Sequence, residues 1–203
     1  MDNYIKICGQ KIELTDEQVE QLKKSFGTDG ARLSDIPAGE IFKIGEHEMI
    51  VLEHSGDETA VIRKELLVEN KAFGENNNYE GSYVDELCNA FADEISAVIG
   101  RENLVGHTVD LTSDDGLKNY KTISRMASLI TAAAYRRYVE VLDRYKIDAW
   151  WWLATPYSTP THGDASWVKC VSPSGSLINY GYYRDYFGVR PFCVLKSNIF
   201  VSK

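Results

Sequence analysis

The chain has 203 residues, 44% hydrophobic and 26% charged, enough to bury an ordinary core without disulfides or a structural metal. The net charge of -8 argues against general nucleic-acid binding, which needs a clustered basic face. The absence of any apolar run of about 18 residues excludes a spanning helix, and the opening MDNYIKICGQ has neither a basic leader nor an apolar signal stretch, so the expected product is soluble and made in the cytoplasm. Charge is uneven. Residues 1–100 hold 21 acids and 9 bases, residues 101–203 hold 9 acids and 13 bases, so the two halves are expected to differ in duty.

In chain order, IKICGQKIEL alternates Ile5, Ile7, Ile12 and Leu14 around Gly9 and reads as a tight hairpin or a strand with a turn. TDEQVEQLKKSF follows, with Thr15 and Gln18 at capping-box spacing, Val19, Leu22 and Phe26 on one helical face, and Gly27 as the stop. GTDGARLSDIPAG is rich in turn residues and reads as a linker, which sets the expected boundary between an N-terminal strand-helix extension (1–36) and the main domain (37–203). EIFKIGEHEMIVLEH reads as two strands around Gly45, and ETAVIRKELL as a third. After the polar loop FGENNNYEGS, Ser82 and Gly100 bracket a helix whose predicted apolar face is Val84, Leu87, Phe91, Ile95 and Val98. A second helix is predicted over 131–145, led by Thr131. From residue 149 short strands alternate with turns such as Ser172-Pro173-Ser174-Gly175, and this stretch holds 12 of the 23 aromatic residues.

Enzymatic machinery is not legible. Cys8, Cys88, Cys170 and Cys193 are far apart and form no CxxC, which speaks against zinc and favours buried thiols. His47, His54, His107 and His162 show no paired ligand spacing, and no phosphate-binding glycine loop occurs. HTVDLTSDDGL sets Asp110, Asp114 and Asp115 at spacings close to a calcium loop, but its glycine falls one place late and Lys121 occupies the closing position. A solvated loop with turn-capping acids is the plainer reading, a weak cation site the other. No cofactor and no metal ligand set is expected.

Trp150-Trp151-Trp152 must alternate across a strand, with Trp151 expected in the core. In SWVKCV, Val168 and Cys170 are expected inward, so Trp167 and Lys169 outward. NYGYYRDYFGVRPF (179–192) has the composition of a paratope loop: rigid amphipathic tyrosines with adaptable polar neighbours. The candidate ligand-binding residues are therefore Asp164, Ser166, Trp167, Lys169, Asn179, Tyr180, Tyr182, Tyr183, Arg184, Asp185 and Tyr186. A merely solvated tyrosine-rich hairpin is the competing reading.

The succession WWWLATP (150–156), SWVKCVSPSGSL (166–177) and FGVRPFCVL (187–195) resembles an uncharacterised family of phage and gut-bacterial proteins with WWLRSP-like and GVRP-like motifs. Ala154-Thr155-Pro156 stands where that family has Arg-Ser-Pro; Gly188-Val189-Arg190-Pro191 is intact. The family is similar in turn to the α+β C-type-lectin-like fold of formylglycine-generating enzymes and of the variable proteins of diversity-generating retroelements. That resemblance implies a structural Arg190 anchoring the closing strand, and a displayed surface between Asp164 and Tyr186. The EPN and WND calcium-sugar motifs of true lectins are absent, as is the C-terminal cysteine pair of formylglycine-generating enzymes. The implied function is non-enzymatic recognition of a protein or glycan on a cell or phage surface, with the N-terminal piece serving attachment or homo-oligomerisation. The alternatives are a phage tail or baseplate part, which would be virion-associated, and an enzyme of the formylglycine-generating type.

Overall fold

The computed structural model describes residues 4–7, 10–19 and 30–203; Cys8, Gly9, Leu22, Phe26 and Gly27 lie outside them. The chain mixes helix (24%) and strand (35%), and its largest sheet is curled and antiparallel. Strands β1 (Tyr4–Ile7) and β2 (Gln10–Glu13) pair antiparallel from Tyr4–Glu13 to Ile7–Gln10, the hairpin of the two readings. The capping box forms: the Thr15 N–H donates to Gln18 Oε1 (2.9 Å) and the Gln18 N–H to Thr15 Oγ1 (3.2 Å), at the head of helical residues 16–19.

The main sheet takes strands from both halves of the chain. Its order is β10 (Ala127–Ser128), β14 (Phe192–Lys196), β6 (Glu58–Arg63), β5 (His47–Ser55), β4 (Ile41–Ile44), β15 (Phe200–Ser202), β3 (Gly30–Arg32), with β7 (Leu104–Val105) also on β14. Two smaller sheets are β8 (His107–Asp110) with β9 (Thr122–Arg125), and β11 (Trp151–Pro156), β12 (Trp167–Val171), β13 (Leu177–Gly181). Helix α1 (Tyr83–Ile99) starts on Ser82, whose Oγ accepts from the Asp85 N–H, and stops at Gly100 (φ 86°). Helix α2 (Ala132–Leu142) is capped in the same way by Thr131 on the Ala134 N–H.

Two expectations are corrected. The boundary at residue 36 does not divide the fold. Ala31 pairs with Val201, and Leu33 and Ile36 are buried in the main core, so the body already includes residues 30–36. Turn-rich composition concealed a three-residue strand and two core anchors. On α1 the buried face is Val84, Cys88, Phe91, Ala92 and Ile95; Val98 is 58% exposed, because the last turn reaches only the β4–β5 turn, where Val98 Cγ2 lies 3.4 Å from a Cβ built at Gly45.

Both faces of the main sheet are covered. Phe42, Met49, Val51, Val61 and Leu195 pack under α1 through Phe91 and Ile95. Ile50, Leu52 and Ile62 meet Trp151, Leu153 and Val171 together with Tyr135 and Leu142 of α2. A third cluster joins Trp152, Ala154, Val168 and Cys170 to Phe73, Tyr79, Val84, Phe187 and Val189. The strand alternation of β11 thus sends Trp151 and Trp152 into different cores, both fully buried. Trp150 is half-buried, edge-on to Tyr180 (5.1 Å) and Phe187 (5.8 Å). Among the described residues no helix is long and apolar enough to cross a membrane.

Candidate functional site

The GVRP segment is the floor of the candidate site. Trp152 N–H donates to the Gly188 carbonyl, Val189 exchanges backbone bonds with Leu67 and Val68, and Arg63 N–H donates to the Pro191 carbonyl. Arg190 is 1% exposed; its Nε donates to the Arg63 carbonyl (2.8 Å), its Nη2 to the Lys64 and Tyr145 carbonyls (2.9 and 3.4 Å), and its guanidinium lies over the Trp151 ring at 5.3 Å. Burial lowers its pKa, to about 10. Fixed this way, Arg190 ties the segment that leads into β14 to the end of β6 and to the turn after α2.

Above that floor stands the β12–β13 hairpin. Its register pairs Trp167 with Gly181, Val168 with Tyr180, Lys169 with Asn179, Cys170 with Ile178 and Val171 with Leu177. Pairing partners share a face, so Val168, Cys170 and Tyr180 turn toward Trp152 and Phe187, while Trp167, Lys169, Asn179 and Gly181 occupy the other face. A Cβ on Gly181 would meet Tyr183 Cε1 at 2.6 Å: the Tyr183 ring lies against the glycine, which is the cross-strand partner of Trp167. Tyr182 continues the ladder by one bond, N–H to the Ser166 carbonyl, and Phe73 N–H donates to the Tyr182 carbonyl.

The expected binding residues therefore divide. Trp167 (41%), Tyr183 (57%) and Tyr186 (43%) are exposed, as are Ser166, Arg184 and Asp185, with Arg184 over the Tyr183 ring at 5.4 Å. Tyr180, Tyr182, Asn179 and Asp164 are half-buried. Tyr186 stacks on Phe187 (4.8 Å) and meets Tyr180 edge-on, on the hairpin face opposite Trp167 and Tyr183. Asp164 accepts from the Ser166 N–H, a local turn bond.

Lys169 corrects the expectation of an outward side chain. It is 7% exposed and its Nζ donates to Asp114 Oδ2 (3.1 Å), whose other oxygen accepts from Arg136 Nη2 (3.3 Å). Period-two reasoning assigned it the correct face; the 111–117 loop folds over that face and covers it.

The same loop is the hub of a polar staple that sequence reading left as solvated. Asp115 accepts from the hydroxyls of Ser113 and Ser158 and from His162 Nδ1 (2.8 Å), and the two serines in particular hold its carboxyl far below the usual range. Asn77, fully buried, donates to the Ser158 and Trp167 carbonyls and accepts from the Tyr120 hydroxyl. Asn119 bridges Thr159 and Thr161. Three loops (76–78, 113–120 and 157–167) are thus locked together at the base of Trp167. Tyr157, 40% exposed, donates its N–H to the Trp167 carbonyl and adds a further ring at this edge. The Asn run in FGENNNYEG and the Asp-Asp pair mark polar loops, but the partners lie 40–90 residues away and no local signal names them.

The Asp carboxylates are taken up by these partners, and Asp110 accepts from Thr112. Among the described residues no group of three or more His, Cys, Asp or Glu is placed to hold a metal ion. His107 Nε2 lies 2.8 Å from Ser128 Oγ in a groove of about 330 Å³ beside α2. This is not a nucleophile arrangement: the buried Nδ1 has no partner among the described residues, and a buried N–H without an acceptor costs more than a buried lone pair. We assign Nε2–H as donor to Ser128, the reverse of a general base. The Cys88, Cys170 and Cys193 thiols are buried and protonated, burial pushing Cys88 and Cys170 up to about 12 and Cys193 further.

Residues 111–197 match a family described as a domain of unknown function (DUF6273). The matched span begins at the loop hub and takes in α2, the β11–β12–β13 sheet, the tyrosine loop and β14. No curated protein and no solved structure matches the chain.

Proposed function

We propose that this chain is a non-enzymatic recognition protein, whose C-terminal half displays Trp167, Tyr183, Arg184, Asp185 and Tyr186 to a protein or glycan on a cell or phage surface. One observation carries the reading. Within eight residues the chain passes from side chains 57% and 43% exposed (Tyr183, Tyr186) to Phe187, Val189 and Arg190 at 0%, 0% and 1%. Exposed Tyr and Arg that run directly into a rigid buried segment, with Trp167 exposed on the other face of the hairpin, have the composition of an interaction hot spot.

The C-type-lectin-like body is part of the same proposal, supported by the WWWLATP to GVRPF succession and by the order α2, β11, β12, β13, β14 in the matched span. Buried, protonated thiols weigh against chemistry of the formylglycine-generating type, which requires an accessible sulfur. Screening the chain against arrayed glycans and bacterial surface proteins, then repeating any hit with Tyr182, Tyr183 and Tyr186 replaced by alanine, tests the reading. Binding unchanged in a folded triple variant sinks it; a trimer or higher assembly that buries these tyrosines between subunits favours the tail or baseplate alternative.

A further inference from the structure

Strand β13 ends a sheet. In the order β11–β12–β13 the far side of β11 is taken up, since Trp152 N–H donates to the Gly188 carbonyl and Ala154 N–H to the Ile130 carbonyl, whereas β13 pairs with β12 alone. Antiparallel partners alternate between pairs that exchange backbone bonds and pairs that do not. The bonds from Tyr182 N–H to the Ser166 carbonyl and from Ser172 N–H to the Ser176 carbonyl fix the phase of that alternation. Ile178 and Tyr180 therefore bond to β12, and Leu177, Asn179 and Gly181 turn their backbone groups away from it. The Gly181 carbonyl accepts from the Arg184 N–H; among the described residues no other backbone bond reaches these three from the open side.

Open edges are ordinarily kept short or marked with a charge or a proline, because a bare one templates another strand. The other strands with a free edge among the described residues follow that rule. β7 and β10 have two residues each, and β1, β2, β3, β8 and β9 carry Lys6, Lys11, Arg32, Asp110 and Arg125. β13 reads Leu-Ile-Asn-Tyr-Gly, five residues without charge or proline, in unbroken register with β12. Ile178 is 39% exposed on it, on the face shared with Tyr180.

The sequence of this edge selects its occupant. Laid antiparallel on a second copy about a two-fold axis at Asn179, the strand sets Asn179 against itself and Leu177 against Gly181, so the backbone groups turned outward meet partners. The pair between them is Ile178 against Tyr180, formed twice: a β-branched side chain on an aromatic ring at the closest cross-strand spacing. No like charges face each other within the strand, although each chain carries -8. A foreign strand supplies backbone bonds as well; the two reciprocal Ile178–Tyr180 contacts come only from this sequence meeting itself.

We propose that β13 is a dimerisation edge, at which two copies of this chain join their three-stranded sheets into one continuous antiparallel sheet with Asn179 on the two-fold axis. The inference goes beyond the recognition reading and does not depend on it.

The test is sedimentation equilibrium of the full chain, with Cys8 replaced by serine, from about 1 μM to about 1 mM. The mass is expected to rise from 22.9 kDa to twice that. Ile178→Lys should weaken association about tenfold or more, while Val98→Lys, at an exposed apolar residue on α1, leaves it unchanged. Asn179→Cys with oxidised glutathione should give a disulfide-linked dimer on a non-reducing gel, since bonded partners have Cα atoms about 5.5 Å apart. Leu177→Cys should not, because its partner is Gly181 rather than itself. Circular dichroism checks folding; if Ile178→Lys does not fold, the two cysteine variants decide. A chain monomeric at every concentration, a trimer or larger species, or a dimer unchanged in folded Ile178→Lys overturns the proposal, as does Asn179→Cys cross-linking no faster than Leu177→Cys. If the chain stays monomeric and Ile178→Lys abolishes binding of a surface protein found in the screen above, the edge takes a foreign strand: this proposal falls and the recognition reading stands. A dimer with these properties and no hit in that screen upholds the proposal and counts against the recognition reading.

Discussion

The Tyr183 ring rests on Gly181, the cross-strand partner of Trp167, because the glycine has no Cβ to hold it away. A methyl group there would sit 2.6 Å from Tyr183 Cε1, against the free end of an exposed side chain. Gly181→Ala is therefore expected to swing the Tyr183 ring off its seat, at a cost of less than about 1 kcal/mol, while removing ligand binding. Gly188 makes the opposite case. It is fully enclosed, its carbonyl accepts from Trp152 and its N–H donates to Trp150, and a Cβ would meet Leu66 carbons at less than 3 Å. Gly188→Ala is expected to cost about 1–3 kcal/mol by overpacking. Urea unfolding of the two variants checks the contrast: equal midpoints would show that the Tyr183 seat and the floor are not mechanically separate.

Arg190 should be among the most sensitive single positions. Its guanidinium serves carbonyls from two separate segments, Arg63–Lys64 and Tyr145, and covers the Trp151 ring. Arg190→Ala leaves those buried acceptors without donors and is expected to cost about 3 kcal/mol or more. Arg190→Lys keeps the charge but not the planar fork, and should recover less than half of that loss. Thermal unfolding measures both; a lysine variant as stable as the parent would show that charge, not the fork, holds the strand.

Local signals in the sequence carried the parts of this fold that are local. Ser82, Thr131 and Gly100 mark helix ends because each acts on backbone groups within four residues, and their bonds form as the spacing predicts. Pairing at a distance was not legible. Strand β14 joins β6 across more than 120 residues, and nothing in ETAVIR names its partner. The same limit explains Lys169 and Asn77: alternation assigns a side chain to a face, but what covers that face comes from a loop remote in sequence. Tyr180 and Tyr182 show the converse, composition suggesting display where the hairpin turns both rings partly into the Phe187 cluster.

Acid should weaken the fold in two separate windows. Burial holds His107 down to about 4 from an ordinary 6.5, so the folded chain keeps it neutral while the unfolded chain takes up a proton. Stability that is complete above pH 6.5 is therefore lost as pH falls toward 4, by at most about 1.4 kcal/mol per pH unit for one proton. Asp115 is also depressed, but as a carboxylate. Its contribution is present above its ordinary 3.8 and is lost only as pH falls below that. His107→Gln should flatten the stability profile between pH 6.5 and 4, and Asp115→Asn below about 4. Chemical unfolding across pH 3–8 checks both, and an unchanged slope in His107→Gln would place the proton elsewhere.

Asp115 should also report on the loop that carries Trp167. With Asn77 it ties the 113–120 and 157–167 loops together under Trp167, through Ser158 and His162 on one side and the Trp167 carbonyl on the other. Asp115→Ala removes an acceptor serving three donors and is expected to destabilise by about 1–3 kcal/mol, with Trp167 emission shifting red as its loop loosens. Asn77→Ala should do the same through the Trp167 carbonyl itself. Emission spectra in native buffer check this. A shift seen in Asn77→Ala but not in Asp115→Ala would restrict the staple to the Asn77 side.

The thiols supply a direct measure of how closed the core is. Cys88, Cys170 and Cys193 are buried, and desolvation keeps all three protonated at neutral pH. A thiol-reactive disulfide reagent attacks only an accessible thiolate, so reaction at these positions must wait for opening of the Trp152 cluster or of the sheet under α1. With Cys8 replaced by serine, no group is expected to react within minutes in native buffer, and three in denaturant. Rapid native modification of Cys170 would mean that the β12–β13 hairpin lifts from Phe187, and the rigid floor on which the recognition surface depends would be lost with it.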